Sequence, residues 1–210
     1  MRTNRRIAEF LLQSKAIKLE PASPFTWASG WKSPIYCDNR KTLSYPEIRT
    51  KIRDAYVELI REKFGSVEVI AGVATGAIAQ GALVADVMNL PFIYVRSSAK
   101  GHGMQNLVEG SYQEGQKVVV LEDLISTGGS SLKAVEALRA AGCEVLGMVA
   151  TFTYGFRLSE GNFKQQALEV VTLTDYETML TQALESGYIN EKQLPVLKNW
   201  RIDPENWQPS

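Results

Sequence analysis

The sequence predicts an α/β fold in which a mainly parallel sheet is flanked by helices. The chain has 210 residues, 45% of them hydrophobic and 22% charged, which suits one globular domain with a substantial core. Between residues 67 and 152, short runs of apolar, often β-branched residues alternate with segments of helical character. Residues 118–121 are continuously apolar, as expected for a strand that helices cover on both faces.

The first 45 residues predict a small unit made of one helix and one hairpin. Apolar residues recur at helical spacing near the start of the chain, at Ile7, Phe10 and Leu11. Two short strands are predicted within residues 25–38, on either side of a turn at Ser29 and Gly30.

Residues 46–173 are predicted to form the α/β core. Ser44 and Glu47 have the spacing of a capping box, which predicts a helix that continues to Gly65. Four strands are predicted at 67–72, 91–95, 117–123 and 144–152. Two further helices are predicted at about 77–88 and 130–141.

The last part of the chain, residues 174–210, predicts a tail of two helices that ends near Trp200. Thr174 and Glu177 have the spacing of a second capping box at its start. We expect this tail to have a structural role, packing on the core or on a partner subunit.

The charge balance and the cysteine content exclude several classes of protein. Lys plus Arg and Asp plus Glu each count 23, so the chain lacks the basic excess expected of a general nucleic-acid binder. Cys37, Cys143 and the single histidine show no metal-ligand spacing, which argues against a zinc site. No segment has the pattern of a membrane span or a signal peptide. A reduced, cytoplasmic protein is therefore expected.

The strand predicted at 117–123 ends in two acids, and a loop rich in hydroxyls and glycines follows it. Glu122 and Asp123 lie at its carboxyl end, where open α/β sheets bind ligands. Residues 126–130, STGGS, then supply hydroxyls and closely spaced N–H groups at the start of a helix, which suits a phosphate. Because carboxylates repel a phosphate, they should bind ribose hydroxyls or Mg²⁺ instead. The segment therefore predicts a sugar-phosphate site.

Other interpretations of the glycine-rich segments fit less well. A Walker P-loop needs a lysine after its second glycine, and none follows Gly128 or Gly129. A dinucleotide fingerprint needs a glycine spacing that residues 72–81, GVATGAIAQG, do not have. That segment can offer N–H groups to a second anion, or its small residues can serve close helix packing. An ordinary helix N-cap is the structural alternative for residues 126–130.

A polar segment follows the strand predicted at 91–95. Arg96, Lys100 and His102, the only histidine, lie in a stretch of about 15 residues with little strand or helix periodicity. Such groups on a lid can close over a pyrophosphate leaving group and open for its release. From the residues alone, a solvated surface loop is an equally good interpretation.

Three segments resemble the type I phosphoribosyltransferase family. Residues 118–131, VVVLEDLISTGGSS, resemble its phosphoribosyl-pyrophosphate motif. Residues 25–40, FTWASGWKSPIYCDNR, and residues 94–110, YVRSSAKGHGMQNLVEG, resemble the orotate phosphoribosyltransferases of that family. The resemblance covers most of the chain, to about Tyr154, and continues more weakly into the tail.

The resemblance implies the type I phosphoribosyltransferase fold, with residues 1–45 as a hood over the base and 174–210 as a helical tail. It implies a Mg²⁺-dependent enzyme of pyrimidine synthesis that transfers 5-phosphoribosyl from phosphoribosyl pyrophosphate to orotate. It also implies a homodimer in which the loop at 96–111 reaches the neighbouring active site. The alternatives are a purine phosphoribosyltransferase and a non-catalytic transcriptional regulator that binds phosphoribosyl pyrophosphate.

The resemblance assigns roles to three groups of residues. Phosphoribosyl pyrophosphate would be bound by Arg96, Lys100, His102, Glu122, Asp123, Leu124, Ile125, Ser126, Thr127, Gly128, Gly129 and Ser130. The catalytic groups would be Lys100, His102, Glu122 and Asp123. Orotate would be bound by Lys32, Tyr36 and Ser126. Mg²⁺ would be held mainly through the substrate, near Asp123.

The chain departs from the family pattern at the base site. Some members have a lysine before the hairpin Ser-Gly pair, where this chain has Ala28. The residue after Arg96 is often lysine and here is Ser97. Tyr154 stands about where those members place an orotate-contacting arginine, and Arg157 is a nearby substitute. Recognition of orotate is therefore the property that the resemblance transfers least directly.

Overall fold

The computed structural model describes residues 2–27, 30–98 and 107–209. Within these residues, the N-terminal part comprises α1 (Arg2–Gln13), β1 (Ile17–Leu19), β2 (Phe25–Thr26), β3 (Lys32–Ser33), β4 (Ile35–Cys37) and a 3₁₀ helix (Asn39–Ser44). β1 pairs with β4 and β2 pairs with β3, both antiparallel. The predicted helix and hairpin are confirmed, and a second pair of strands accompanies them.

The core alternates between helices and strands. Its elements are α2 (Pro46–Lys63), β5 (Val69–Val73), α3 (Ile78–Met88), β6 (Phe92–Val95), β7 (Val108–Glu109), β8 (Lys117–Ile125), α4 (Gly129–Ala140), β9 (Glu144–Thr153), α5 (Arg157–Gln165) and β10 (Val170–Asp175). The sheet has the strand order β10-β9-β8-β5-β6-β7. Every pair in it is parallel except β6 with β7. The predicted α/β fold with a mainly parallel sheet is confirmed.

Each face of the sheet carries its own hydrophobic cluster, because successive side chains of a strand point to opposite faces. On β8, Val119 and Leu121 belong to the cluster that includes residues of α1, α2 and α3. Val118 and Val120 belong to the cluster that includes residues of α4 and α5. All four side chains are fully buried. The apolar run in the sequence therefore marks a strand covered on both faces, as predicted.

Both predicted capping boxes are wrong. Ser44 ends the 3₁₀ helix, and α2 begins instead at Pro46 with Tyr45 as its N-cap. Proline suits the first helical position because its missing N–H would have no partner inside the helix. At the second site Asp175 is the N-cap, and its carboxylate accepts a hydrogen bond of 2.8 Å from the N–H of Thr178.

The sequence prediction omitted α5 and β10. On α5 only Ser159 and Phe163 are buried, so the helix has a narrow apolar face. β10 pairs only with β9 at the edge of the sheet, and four of its six residues are partly exposed. Short elements with one exposed side leave a weak periodic signal in the sequence.

The tail packs back on the N-terminal part of the chain. Its helices are α6 (Tyr176–Glu185) and α7 (Leu194–Ile202), which confirms the two predicted helices. α6 packs against α1, and an ion pair of 3.0 Å joins Arg5 to Glu185 there. Leu197 and Trp200 of α7 are completely buried. No helix in the described part of the chain is long and apolar enough to cross a membrane.

Candidate functional site

The candidate site lies at the carboxyl edge of the sheet, where two turns meet. The turn at 126–128 joins β8 to α4, and the turn at 74–77 joins β5 to α3. β5 and β8 are parallel neighbours, so their carboxyl ends lie side by side. The two glycine-containing segments that the sequence singles out are therefore brought together by the fold.

Gly128 shapes the turn at 126–128. It is the N-cap of α4 and has φ +80°, in the left-handed region that glycine adopts at low cost. A Cβ at this position would lie 2.8 Å from the Phe163 ring. No side chain caps the helix, so its first N–H groups remain open to an anion. Gly129 and Ser130 are exposed at this end of α4, as a phosphate site requires.

The two acids after the apolar run point to opposite faces of β8. Glu122 lies on the α4 face and is only 3% exposed. Its carboxyl group accepts hydrogen bonds of 2.8 Å from the Ser131 hydroxyl and 3.0 Å from the N–H of Asp123. Glu122 thus connects the end of β8 to the first turn of α4.

The environment of Glu122 favours its protonated form. Burial is the main cause that raises the pKa of Glu122 to about 8, and the nearby carboxylate of Asp123 raises it further. The hydrogen bond from Ser131 favours the charged form and offsets only part of this effect. At pH 7 Glu122 is therefore mostly neutral.

Asp123 lies on the other face of β8, against the turn at 74–77. A Cβ built on Gly76 would collide with the Asp123 carboxyl group. The carboxyl group can occupy this position only because residue 76 has no side chain. Asp123 is partly exposed, so it is the acid of the pair that is accessible at the crevice.

Three residues outside the motif fix the backbone that carries the acids. The side-chain amide of Asn39 donates to the carbonyl oxygen of Asp123. The Tyr56 hydroxyl donates to the carbonyl oxygen of Glu122 at 2.6 Å and lies 2.7 Å from the Thr151 hydroxyl. No sequence pattern identifies these contacts, because nothing in the sequence connects Asn39, Tyr56 or Thr151 to the end of β8.

The hood holds two of the predicted orotate contacts, Lys32 on β3 and Tyr36 on β4. The Lys32 ammonium donates to the Thr26 hydroxyl at 2.7 Å, and the Tyr36 ring packs 5.6 Å from the Phe25 ring. At the end of β4, burial first and then the charges of Asp123 and Asp38 raise the pKa of the Cys37 thiol. The hood therefore reaches the neighbourhood of Asp123. Base contacts by Lys32 and Tyr36 stay predictions.

The predicted lid is described only at its two ends. The Arg96 guanidinium forms a 3.3 Å ion pair with Glu109, and the backbone N–H of Arg96 donates to the carbonyl oxygen of Leu107 at 2.8 Å. Arg96 also lines a groove of about 940 Å³ together with Ala74 and Ser130. The start of the loop, at Arg96, therefore lies beside both turns of the site. Lys100 and His102 lie outside the described residues.

Tyr154 and Arg157 occupy different environments. Tyr154 is 1% exposed, and burial raises the pKa of its hydroxyl well above the ordinary value. It packs within 5.2–6.2 Å of the rings of Trp27, Phe152, Phe156, Tyr176 and Trp200. Arg157, at the start of α5, lines a cavity of about 470 Å³ with Trp31 and Thr127. Of the two, only Arg157 places a cation beside the turn at 126–128.

The described residues contain no group of three or more His, Cys, Asp or Glu side chains that could hold a metal ion. The oxygen donors at the crevice are the Asp123 carboxylate and the hydroxyls of Ser126 and Thr127, which are partly exposed. Hard oxygen ligands of this kind suit Mg²⁺, which also keeps several waters or substrate oxygens. The residues present thus fit a Mg²⁺ ion that a phosphorylated substrate would bring.

Comparison with known proteins identifies similar chains over nearly the whole length. The family model described as phosphoribosyl transferase domain matches residues 41–177. Orotate phosphoribosyltransferase of Phocaeicola vulgatus is 64% identical over 201 residues, covering 96% of this chain and 95% of the relative. The same enzyme of Listeria monocytogenes is 51% identical over 207 residues, covering 99% of each.

Solved structures show the same fold. Orotate phosphoribosyltransferase from Aeropyrum pernix superposes with a TM-score of 0.77 at 27% identity, covering 88% of this chain and 99% of that one. UMP synthase of Leishmania donovani superposes with a TM-score of 0.81 at 27% identity, covering 94% of this chain and 42% of that one.

The raised pKa of Glu122 predicts that the metal-free protein loses stability as the pH rises. Below the ordinary pKa near 4.5 the folded and unfolded chains are both protonated at this group. Between about 4.5 and 8 the unfolded chain releases a proton that the folded chain keeps. The free energy of unfolding should therefore fall by up to about 1.4 kcal/mol per pH unit.

Urea unfolding of three proteins between pH 5 and 8 measures this slope. Glu122→Gln keeps the shape of the side chain and is neutral throughout, so its stability should vary less with pH than that of the wild type. Glu136→Gln, at an exposed position on α4, should keep the wild-type slope. Equal slopes for Glu122→Gln and the wild type would contradict the burial argument.

Proposed function

This chain belongs to the orotate phosphoribosyltransferase family, and we infer that it transfers the 5-phosphoribosyl group of phosphoribosyl pyrophosphate to orotate. The products are orotidine 5′-phosphate and pyrophosphate, in the synthesis of pyrimidine nucleotides. The observation that carries this inference is the placement of the Asp123 carboxyl group against Gly76, at the carboxyl end of a strand that leads into an α4 N-terminus without a side-chain cap. Relatives that are 51–64% identical are named orotate phosphoribosyltransferase, which disfavours a purine enzyme or a regulator.

The turn after β8 is proposed to bind the 5′-phosphate of the ribose. Its open N–H groups and the positive end of the α4 dipole favour a phosphate, and the positive φ of Gly128 gives the turn its shape. The turn shares this role with the end of β8 and the first residues of α4, so the full set is Leu124, Ile125, Ser126, Thr127, Gly128, Gly129 and Ser130. In this arrangement the phosphate oxygens replace the water that would otherwise solvate the helix end.

Asp123 is proposed to bind the ribose hydroxyls, as a carboxylate that accepts their hydrogen bonds. The sequence predicts the same contact for Glu122. In the structure both carboxyl oxygens of Glu122 already accept hydrogen bonds, from Ser131 and from the N–H of Asp123. A ribose contact by Glu122 would therefore have to share or replace one of these bonds. Its structural role is to hold the phosphate-binding turn against β8.

Mg²⁺ is proposed as the cofactor, bound mainly through phosphoribosyl pyrophosphate. The partly exposed residues that would hold the ion are Asp123, through its carboxylate, and Ser126 and Thr127, through their hydroxyls. When bound, the ion would neutralise charge on the pyrophosphate group. Asp123 then has two functions, orienting the ribose and limiting where the ion can sit.

Catalysis is proposed to rest on positioning and on charge stabilisation. When the bond between ribose C1 and pyrophosphate breaks, the ribose becomes cationic and the leaving group anionic. Asp123 can stabilise the cation. Arg96 lies at the same groove as Ser130 and can stabilise the anion, and Lys100 and His102 are assigned the same role by the family resemblance. The Ser126 hydroxyl, Lys32 and Tyr36 are proposed to bind orotate under the hood.

The substrate assignment predicts turnover with one base. Purified protein with Mg²⁺ and phosphoribosyl pyrophosphate should form a nucleotide from orotate, and not from adenine, hypoxanthine or xanthine. Asp123→Asn should lower kcat/KM by on the order of a hundredfold, because the carboxylate charge is lost at the ribose. Asp86→Asn, an exposed position on α3, is the control and should retain activity.

Two outcomes would contradict the assignment. Turnover only with a purine would move the substrate to that class. A protein that binds phosphoribosyl pyrophosphate but uses none of the four bases would favour a regulator.

We propose a homodimer in which Lys100 and His102 of one subunit serve the site of the other. Mixing Lys100→Ala subunits with Asp123→Asn subunits tests this arrangement. If the lid acts between subunits, each mixed dimer has one site with both defects and one intact site, so activity should recover above that of either variant alone. If each lid serves its own subunit, both sites carry one defect and mixing restores nothing.

A cytoplasmic location is proposed from the thiols. Cys37 and Cys143 are free, as in proteins of reducing compartments. Cell fractionation should recover the enzyme activity in the cytoplasmic fraction, and recovery in an exported fraction would contradict this.

A further inference from the structure

An aromatic cluster connects the tail to the hood and to the end of β9. Trp200 of α7 is completely buried at its centre. Its ring packs edge-on against Trp27 of the hood, with centroids 5.5 Å apart, and against Tyr154 after β9, also at 5.5 Å. Edge-to-face pairs at this separation are favourable beyond the area they bury. One side chain of the tail therefore contacts both the hood and the edge of the sheet that carries the site.

Trp200 also forms a hydrogen bond to the hood hairpin. Its indole N–H donates to the carbonyl oxygen of Lys32 at 3.2 Å. Lys32 begins β3, and the pairing of β2 with β3 consists of only two residue pairs. An isolated hairpin of this size has little stability of its own. The position of the hairpin therefore depends on contacts from outside it, and the bond from Trp200 is one of them.

The hairpin and the tail also meet at the phosphate-binding turn. Trp31 of the hairpin, Thr127 of the turn and Lys198 of α7 line the same cavity of about 470 Å³. On the other side of the hood, Cys37 at the end of β4 is close enough to Asp123 for that charge to raise the pKa of its thiol. A shift of the hairpin would therefore change the shape of this cavity, while the turn itself is held between β8 and α4 by the hydrogen bond from Ser131 to Glu122.

We propose that Trp200 is a positioning residue for the acceptor base, acting through the Lys32 carbonyl and the Trp27 ring. The proposal rests on the proposed function for the identity of the base, orotate. The proposal predicts different effects on the binding of the two substrates, because phosphoribosyl pyrophosphate binds at Asp123 and residues 126–130 and does not need the hairpin. The helical tail thereby contributes to base recognition without contacting the base.

Trp200→Phe tests the proposal, with Tyr176→Phe as the matched control. Trp200→Phe keeps an aromatic ring and removes the N–H that reaches the hood. Tyr176→Phe removes a hydroxyl of the same cluster, which donates to the carbonyl oxygen of Leu197 in the tail at 3.1 Å. Each variant loses one buried hydrogen bond, so both should lose stability to a similar extent.

Steady-state kinetics should separate the two variants. In Trp200→Phe the KM for orotate should rise about fivefold to tenfold, the effect of one lost hydrogen bond on binding. The KM for phosphoribosyl pyrophosphate and kcat should stay within about twofold of the wild type, since neither depends on this bond. Tyr176→Phe should leave all three constants within the same range. Equal effects of both variants, or an equal rise in both KM values of Trp200→Phe, would overturn the proposal.

Amide hydrogen exchange gives a readout that does not require activity. The amides of residues 25–27 and 30–33 should exchange faster in Trp200→Phe than in Tyr176→Phe. Unchanged exchange in Trp200→Phe would overturn the positioning role whatever the substrate is. If the wild type did not use orotate but the exchange pattern held, the proposed function would fail while the role of Trp200 in holding the hairpin would stand.

Discussion

The contact between the Asp123 carboxyl group and the backbone of Gly76 is the constraint on which the candidate site depends. It exists because β5 and β8 pair in parallel, with Gly72 opposite Leu121, so that the residues after each strand emerge side by side. It also requires that residue 76 has no side chain, since a Cβ would collide with the carboxyl group. The sheet thus fixes the acid and the glycine turn relative to each other before any ligand binds.

The two faces of β8 carry separate parts of the site. On one face Asn39 and Tyr56 hold the backbone carbonyls of the acid pair, so the hood and α2 are tied to the strand end. On the other face Glu122 bonds to Ser131 and ties the same strand end to α4. Asp123 and the phosphate-binding turn are therefore held between two anchored elements, which is the preorganisation that charge stabilisation requires.

The sequence was sufficient for the fold class and for the local motif, because both depend on short-range patterns. The sequence of residues 118–131 directly indicates a buried apolar strand, an acid pair and a glycine turn. Glu122 and Asp123 have different environments because different helices cover the two faces of β8. Which helix covers which face follows only from the strand order. Tyr154 is another case: its burial depends on Trp27 and Trp200, which are distant in the chain. The roles proposed for Lys100 and His102 are based on the family resemblance.

The affinity of Gly76→Ala for phosphoribosyl pyrophosphate, measured by calorimetry with Mg²⁺, tests the central contact most directly. Gly76 is not among the glycines with positive φ, so alanine is compatible with the backbone, and its methyl group would displace the Asp123 carboxyl group. The account predicts an affinity loss of about tenfold or more with the fold retained, as for loss of a well-placed charged contact. Gly161→Ala, where a Cβ meets nothing within 4 Å, should bind like the wild type. Unchanged affinity in Gly76→Ala would contradict the account.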